Sequence, residues 1–171
     1  MNFAKYYDLE KYIFGEVRDN FFKRGYLTAE EFFCIIIWKA NRSKTKIKTR
    51  LLKDVNKNLD IATKEITNKV FKEKGNRGKL RTLLEDYGFL LPMASAILTV
   101  LYPKNFTIYD VRVRNEIKMK DDISHKKNVV DLYFNEYLKK VNDILQGHDL
   151  RDKDKYLWGK SFYNALKKLI R

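Results

Sequence analysis

Apolar residues recur along most of this chain at spacings of three and four, and strict alternation is confined to short pieces. That is the helical period, so the pattern predicts an all-α protein. A first helix is expected over about Asp8–Phe22, ending near Gly25. Thr28-Ala-Glu-Glu31 then has the form of a capping box, in which the Thr28 hydroxyl bonds forward and the Glu31 carboxylate bonds back. It opens an apolar helix through Trp38 to about Asn41. A basic helix follows over about 43–56, with Ile47, Leu51 and Val55 on one stripe. Asp60 is expected to cap the next, with Ile61, Ile66, Val70 and Phe71 inward. Gly75-Asn-Arg-Gly78 should interrupt it, and Lys79–Tyr87 should form a further helix with Gly88 as its left-handed terminator.

Past Gly88 the helical spacing continues. Pro92 suits the first turn of a small-residue apolar helix over Met93–Tyr102, because the missing proline N–H is not needed there. A loop spans 103–109, and Asp110 stands where an N-cap belongs, ahead of Val111–Ile117. A long helix is expected over Asn128–Leu145, with Val129, Leu132, Tyr133, Tyr137 and Val141 along one side. Gln146-Gly-His148 breaks it, and Asp149 or Asp152 caps a last helix to about Ile170. There is no fixed-period repeat and no low-complexity tract.

Composition narrows the class. The 171 residues are 44% hydrophobic and include only two prolines, which argues for a folded chain rather than a disordered one. One cysteine, Cys34, leaves no internal disulfide and no four-cysteine metal site. It lies in the apolar run Phe32–Trp38, the place of a buried, inert thiol. That run is the longest, at seven residues, far short of the roughly 18 needed to cross a membrane. With no secretory pattern at its start, the chain is expected to be cytoplasmic and not membrane-bound. His125 and His148 show no metal spacing, and neither a metal nor another cofactor is expected.

Charge points to a partner. The formal net charge is +14, and it is unevenly placed. Residues 1–38 carry five basic and six acidic side chains, residues 39–81 fifteen and four, and residues 82–171 sixteen and twelve. The densest part runs from Lys39 through Arg42, Lys44, Lys46 and Lys48 to Arg50. Such a segment attracts a polyanion, and each phosphate it neutralises releases counterions. The alternatives are a solvated basic face, or a face that meets an acidic protein.

The stretch Tyr87-Gly-Phe-Leu-Leu-Pro-Met-Ala-Ser-Ala-Ile-Leu98, followed by Phe106-Thr-Ile-Tyr-Asp-Val-Arg-Val-Arg114, resembles the helix-hairpin-helix DNA glycosylase superfamily. Its pattern is L-P-G-V-G-x-K-T-A-x-x-I-L and then V-D-T-N-V-x-R. Gly88 falls on the first hairpin glycine, Ala94 on the helix alanine, Ile97-Leu98 on the apolar pair, Asp110 on the aspartate and Val113 on the following valine. Ala94 and Asp110 are sixteen positions apart, within the family's spacing. Trp38-Lys-Ala-Asn-Arg42 and Leu150–Trp158 are similar to segments of small bacterial proteins related to 8-oxoguanine glycosylases.

The resemblance implies a two-lobed fold, with residues 39–117 in one lobe and 1–38 with 118–171 in the other. It implies DNA as partner and a monofunctional DNA N-glycosylase activity with Asp110 as the catalytic aspartate assisting water attack. Gly88 and Leu90 of the hairpin, the basic segment and Arg112 and Arg114 become the candidate DNA contacts. Leu90 stands at the second hairpin glycine. Pro92 stands at the position of the Schiff-base lysine, so no lysine-dependent lyase step is expected. Arg112 replaces the usual Asn or His, and Asn115 stands at the arginine position. A carboxylate belongs in such a site because breaking an N-glycosidic bond develops positive charge on the sugar, and it can also take a proton from attacking water. A catalytically silent nucleic-acid-binding protein on the same scaffold is the competing expectation.

Overall fold

The computed structural model describes residues 3–53 and 58–170. All regular structure among them is helical, with no strand, in agreement with the all-α expectation. The chain divides into two compact units, Met1–Gly88 and Phe89–Arg171.

In the first unit, helix α1 covers 9–24, built from Leu9–Tyr12, a π segment Ile13–Val17 and Arg18–Arg24. Asp8 caps it by accepting from the Lys11 N–H at 3.2 Å. Gly25 ends it at φ +75°, where a Cβ would also come within 3.2 Å of the Phe71 ring. Helix α2, Ala29–Ala40, opens on the expected capping box at Thr28 and Glu31. The buried Glu31 carboxylate also accepts from Asn20 at 2.9 Å and pairs with Arg24, which ties α2 to α1. Three unpaired donors near one buried acid would be costly; here one carboxylate satisfies them.

Helix α3 is Lys44–Leu51. The expected stripe residue Val55 and the expected end at Asn56 lie outside the described residues. Helix α4 is Leu59–Lys72, and its cap differs from the expectation. Asn58, not Asp60, accepts from the Ile61 N–H at 2.9 Å. Asp60 instead accepts from the Ala29 N–H at 3.0 Å, at the start of α2. The inward stripe of α4 is Ala62, Ile66 and Val70 with Thr63 and Thr67, while Ile61 and Phe71 sit at its exposed edges. The break before helix α5 falls at 73–75, and Gly78 lies inside α5, which covers 76–86 as Asn76–Arg81 and a π segment Thr82–Asp86. The buried Lys79 amine closes that break by donating to the Val70 and Glu73 carbonyls at the end of α4.

The second unit is built on α6, Leu91–Leu101, whose side chains are almost all buried. Pro92 sits in its first turn, as expected. Helix α7 is Val111–Glu116. Helix α8 covers 129–142, as Val129–Leu132, a π segment Tyr133–Leu138 and Lys139–Asn142. Its buried line is Val130, Tyr133, Tyr137 and Val141. Gly147, at φ +86°, lies in the turn before α9, Leu150–Leu169. The buried Lys153 of α9 donates to the Asn142 carbonyl at 2.6 Å and to its side chain at 3.0 Å, capping α8.

Specific side-chain bonds join distant segments within each unit. The turn at 25–28 is held to α4 by Leu27 N–H to Thr67 Oγ1 at 2.9 Å and by Asn68 to the Gly25 carbonyl at 3.1 Å. The 118–171 segment is held to residues 107–110 by the hydroxyls of Tyr133 and Tyr137.

Candidate functional site

Asp110 closes a buried loop. Phe106, Thr107, Ile108 and Tyr109 have little contact with solvent, so their backbone groups need internal partners. Two tyrosines one turn apart on α8 supply them. The Tyr133 hydroxyl donates to the Thr107 carbonyl at 2.6 Å and accepts from the Thr107 N–H at 3.0 Å. The Tyr137 hydroxyl donates to the Ile108 carbonyl at 2.6 Å and accepts from the Asp110 N–H at 3.3 Å. Ser95 Oγ accepts from the Tyr109 N–H at 2.9 Å. Asp110 is therefore delivered to the start of α7 on a pinned backbone. Its side chain is an N-cap, accepting from the Arg112 N–H at 2.9 Å, and the residue is half-buried.

Burial pushes the Tyr137 hydroxyl well above its ordinary value of 10, and the charges of Asp154 and Asp110 push it further. Both tyrosines stay protonated, as donors to a carbonyl must. Asp154, on α9, is itself buried and pairs with Arg151. Neither the tyrosine clamp nor the buried acid was legible as such. Tyr133 and Tyr137 read only as a core stripe, and Asp154 shares its residue type with the solvated acids around it.

The two arginines after Asp110 diverge, as residues two apart on a helix do. Arg114 turns inward to Asp122 at 3.3 Å and to the Tyr109 hydroxyl at 3.5 Å. It locks residues 109–123 together and is 14% exposed. Arg112 lies over the rings of Trp158 and Phe162, at 5.4 and 5.7 Å from their centroids. Asp122 collects bonds from the Ser124 N–H and hydroxyl, at 3.0 and 2.7 Å, which with Tyr109 and Arg114 hold its carboxyl at about 2.

Asp122 contributes stability fully above its ordinary value near 3.8 and loses it as pH falls towards 2. Its side chain is about half exposed, so the contribution is small. Thermal melting between pH 5 and pH 2 should show an acid-side loss that is shallower in Asp122→Asn. Equal slopes in the two proteins would remove Asp122 from the account.

The basic segment lies in the first unit. Between residues 39 and 53 there are seven Lys or Arg and no acid. Ile47 is buried and anchors α3, while Arg42, Lys44, Lys46 and Lys48 are exposed. Lys44 also donates to Asn41 at 2.6 Å. Lys39 is half-buried. Arg50 is turned to internal work: Nη1 donates to the Gly88 carbonyl at 2.5 Å, and burial pushes the guanidinium below its ordinary value. Gly88 has φ +62°, the left-handed terminator expected. Leu90 is the N-cap of α6 and is 59% exposed, its carbonyl accepting from the Met93 and Ala94 amides. Lys39 to Arg50 and Gly88 thus fall in one unit, and Leu90, Asp110, Arg112 and Arg114 in the other.

Among the described residues no group of three or more His, Cys, Asp or Glu is placed to hold a metal ion. None of their helices is long and apolar enough to cross a membrane. No protein-family model, curated protein or solved structure matches the chain significantly.

Proposed function

We propose that this protein binds DNA through its basic segment and hydrolyses the N-glycosidic bond of an altered base, with Asp110 as the catalytic carboxylate. The observation that carries the binding part is the exposed set Arg42, Lys44, Lys46 and Lys48 in a stretch without acids. The observation that supports the chemistry is Asp110, half-buried on a backbone clamped by Tyr137. In the step proposed, a water oxygen bonds to C1′ while the C1′–N bond breaks and its electron pair leaves with the base. Asp110 accepts the water proton, and the departing base takes a proton from solvent. With Pro92 at the family's lysine position, water and not an amine is the nucleophile.

The test has two parts. Duplexes bearing a panel of altered bases are incubated with the protein and then heated in alkali, which cuts at abasic sites; strand cleavage is the expected result. Duplex affinity is then measured against salt for wild type and for a Lys44→Gln, Lys46→Gln, Lys48→Gln triple variant. Loss of three phosphate contacts should flatten the slope of log affinity against log salt by about 2.7. Affinity indifferent to salt would overturn the binding part, and an uncut panel the excision part.

A catalytically silent nucleic-acid-binding protein is the second reading. Two observations favour it: the Asp110 carboxylate is engaged as a cap, and an exposed leucine occupies the hairpin where backbone would approach a phosphate. It predicts the same salt dependence and no base release.

A further inference from the structure

The second half of α9 presents its apolar side to solvent. Leu157, on the inward side, is 1% exposed. At 3.6 residues per turn a second side, roughly a third of the way round the helix from Leu157, carries Trp158, Phe162, Ala165 and Leu169, spaced four, three and four, with Leu166 and Ile170 beside them. Trp158, Phe162 and Leu166 are 41–46% exposed, and Leu169 and Ile170 are 83% and 73% exposed. A contiguous apolar stripe of this kind marks an interaction surface more than an accident of composition.

Charge says what covers it. From Lys155 to Ile170 there are four lysines and no acid, and one of them, Lys160, pairs with Glu116 of α7 at 3.2 Å. By helical position Lys167 and Lys168 fall on opposite sides of the stripe. A second copy of the chain would bring two stripes edged by Lys167 and Lys168 together, so like charge opposes self-pairing. The spacing points to a helix. A seam repeating every three and four residues is how one helix receives another, and Ala165 within it leaves room for a backbone to approach.

We infer that the second half of α9 is a docking face for an acidic amphipathic helix of another protein, whose apolar side chains cover the Trp158–Leu169 stripe and whose carboxylates meet Lys167 and Lys168. This recognition mode, an apolar face read at helical spacing with charges setting the partner, needs no activity at Asp110. It stands whether or not base release is found.

The test uses the full chain and a fluorescein-labelled synthetic helix with Leu at heptad positions a and d and Glu at e and g. Fluorescence anisotropy should show binding at least about tenfold tighter than for the same peptide with Lys replacing Glu. A Leu166→Gln, Leu169→Gln double variant should weaken binding about tenfold or more, with an unchanged melting curve because both side chains are exposed. A Lys167→Gln, Lys168→Gln variant should reduce the preference for the acidic peptide. Absence of binding, or binding indifferent to both variants, overturns the inference. Binding to phosphatidylglycerol vesicles without binding to the peptide would assign the face to a membrane instead. A dimer in sedimentation that the Leu166 and Leu169 changes dissolve would assign it to a second copy.

Discussion

Asp110→Asn is expected to slow base release by about a hundredfold to ten-thousandfold, the range over which a positioned acid or base accelerates proton transfer. The variant is informative because asparagine is as good an N-cap as aspartate. It can still accept from the Arg112 N–H, so the start of α7 is kept and the fold should melt within about 0.5 kcal/mol of wild type. What it lacks is the charge and the basicity. Duplex affinity should therefore hold or rise slightly, since one negative charge is removed. Asp110→Ala, by contrast, also loses the cap and should cost about 1 kcal/mol of stability. Wild-type release from Asp110→Asn on a duplex that wild type cleaves would reduce Asp110 to its capping role. Release rates on matched substrates, with melting curves alongside, separate the two.

What was legible in the sequence was what local chemistry decides. The Thr28–Glu31 capping box, the glycine terminators at Gly25 and Gly88 and the cap at Asp110 all depend on atoms a few residues apart, and all stand as read. The misassigned cap shows the limit. Asn58 and Asp60 are both good caps by type, and the choice falls to Asn58 because Asp60 is taken by an amide 31 residues away. The π segments in α1, α5 and α8 have no sequence mark, yet each extra residue in a turn shifts which side chains face inward. Trp158, of a residue type that is usually largely buried, is 44% exposed. Arg50, counted among phosphate contacts by its place in a basic run, serves the Gly88 carbonyl. Arg114 finds Asp122. Each of these depends on a partner that only the folded chain brings near. The candidate site divides in the same way. Asp110 and the basic run were visible in one dimension, and the tyrosine clamp behind Asp110 was not.

That clamp carries the largest expected effect on stability. Tyr133→Phe keeps the ring, and with it the packing against Phe106, whose centroid lies 6.4 Å away. It removes only a hydroxyl, but that hydroxyl serves both the N–H and the carbonyl of Thr107, a residue with no solvent access. Two buried backbone groups left without partners should cost about 2–5 kcal/mol, a large share of the 5–15 kcal/mol typical of a domain. Urea unfolding should show it as a lower midpoint at constant slope. Tyr137→Phe should cost less, because its bond to the Asp110 N–H is long, at 3.3 Å, and only the Ile108 carbonyl loses a short one. For base release the order should invert. Tyr137 holds the backbone of Asp110 itself, whereas Tyr133 acts three residues upstream, and small displacements of a catalytic group are costly to rate. A larger loss of release in Tyr137→Phe with the smaller loss of stability would identify Tyr137 as a positioning residue. The same order in both measurements would leave the two tyrosines as parts of the core, with Asp110 indifferent to which of them is cut.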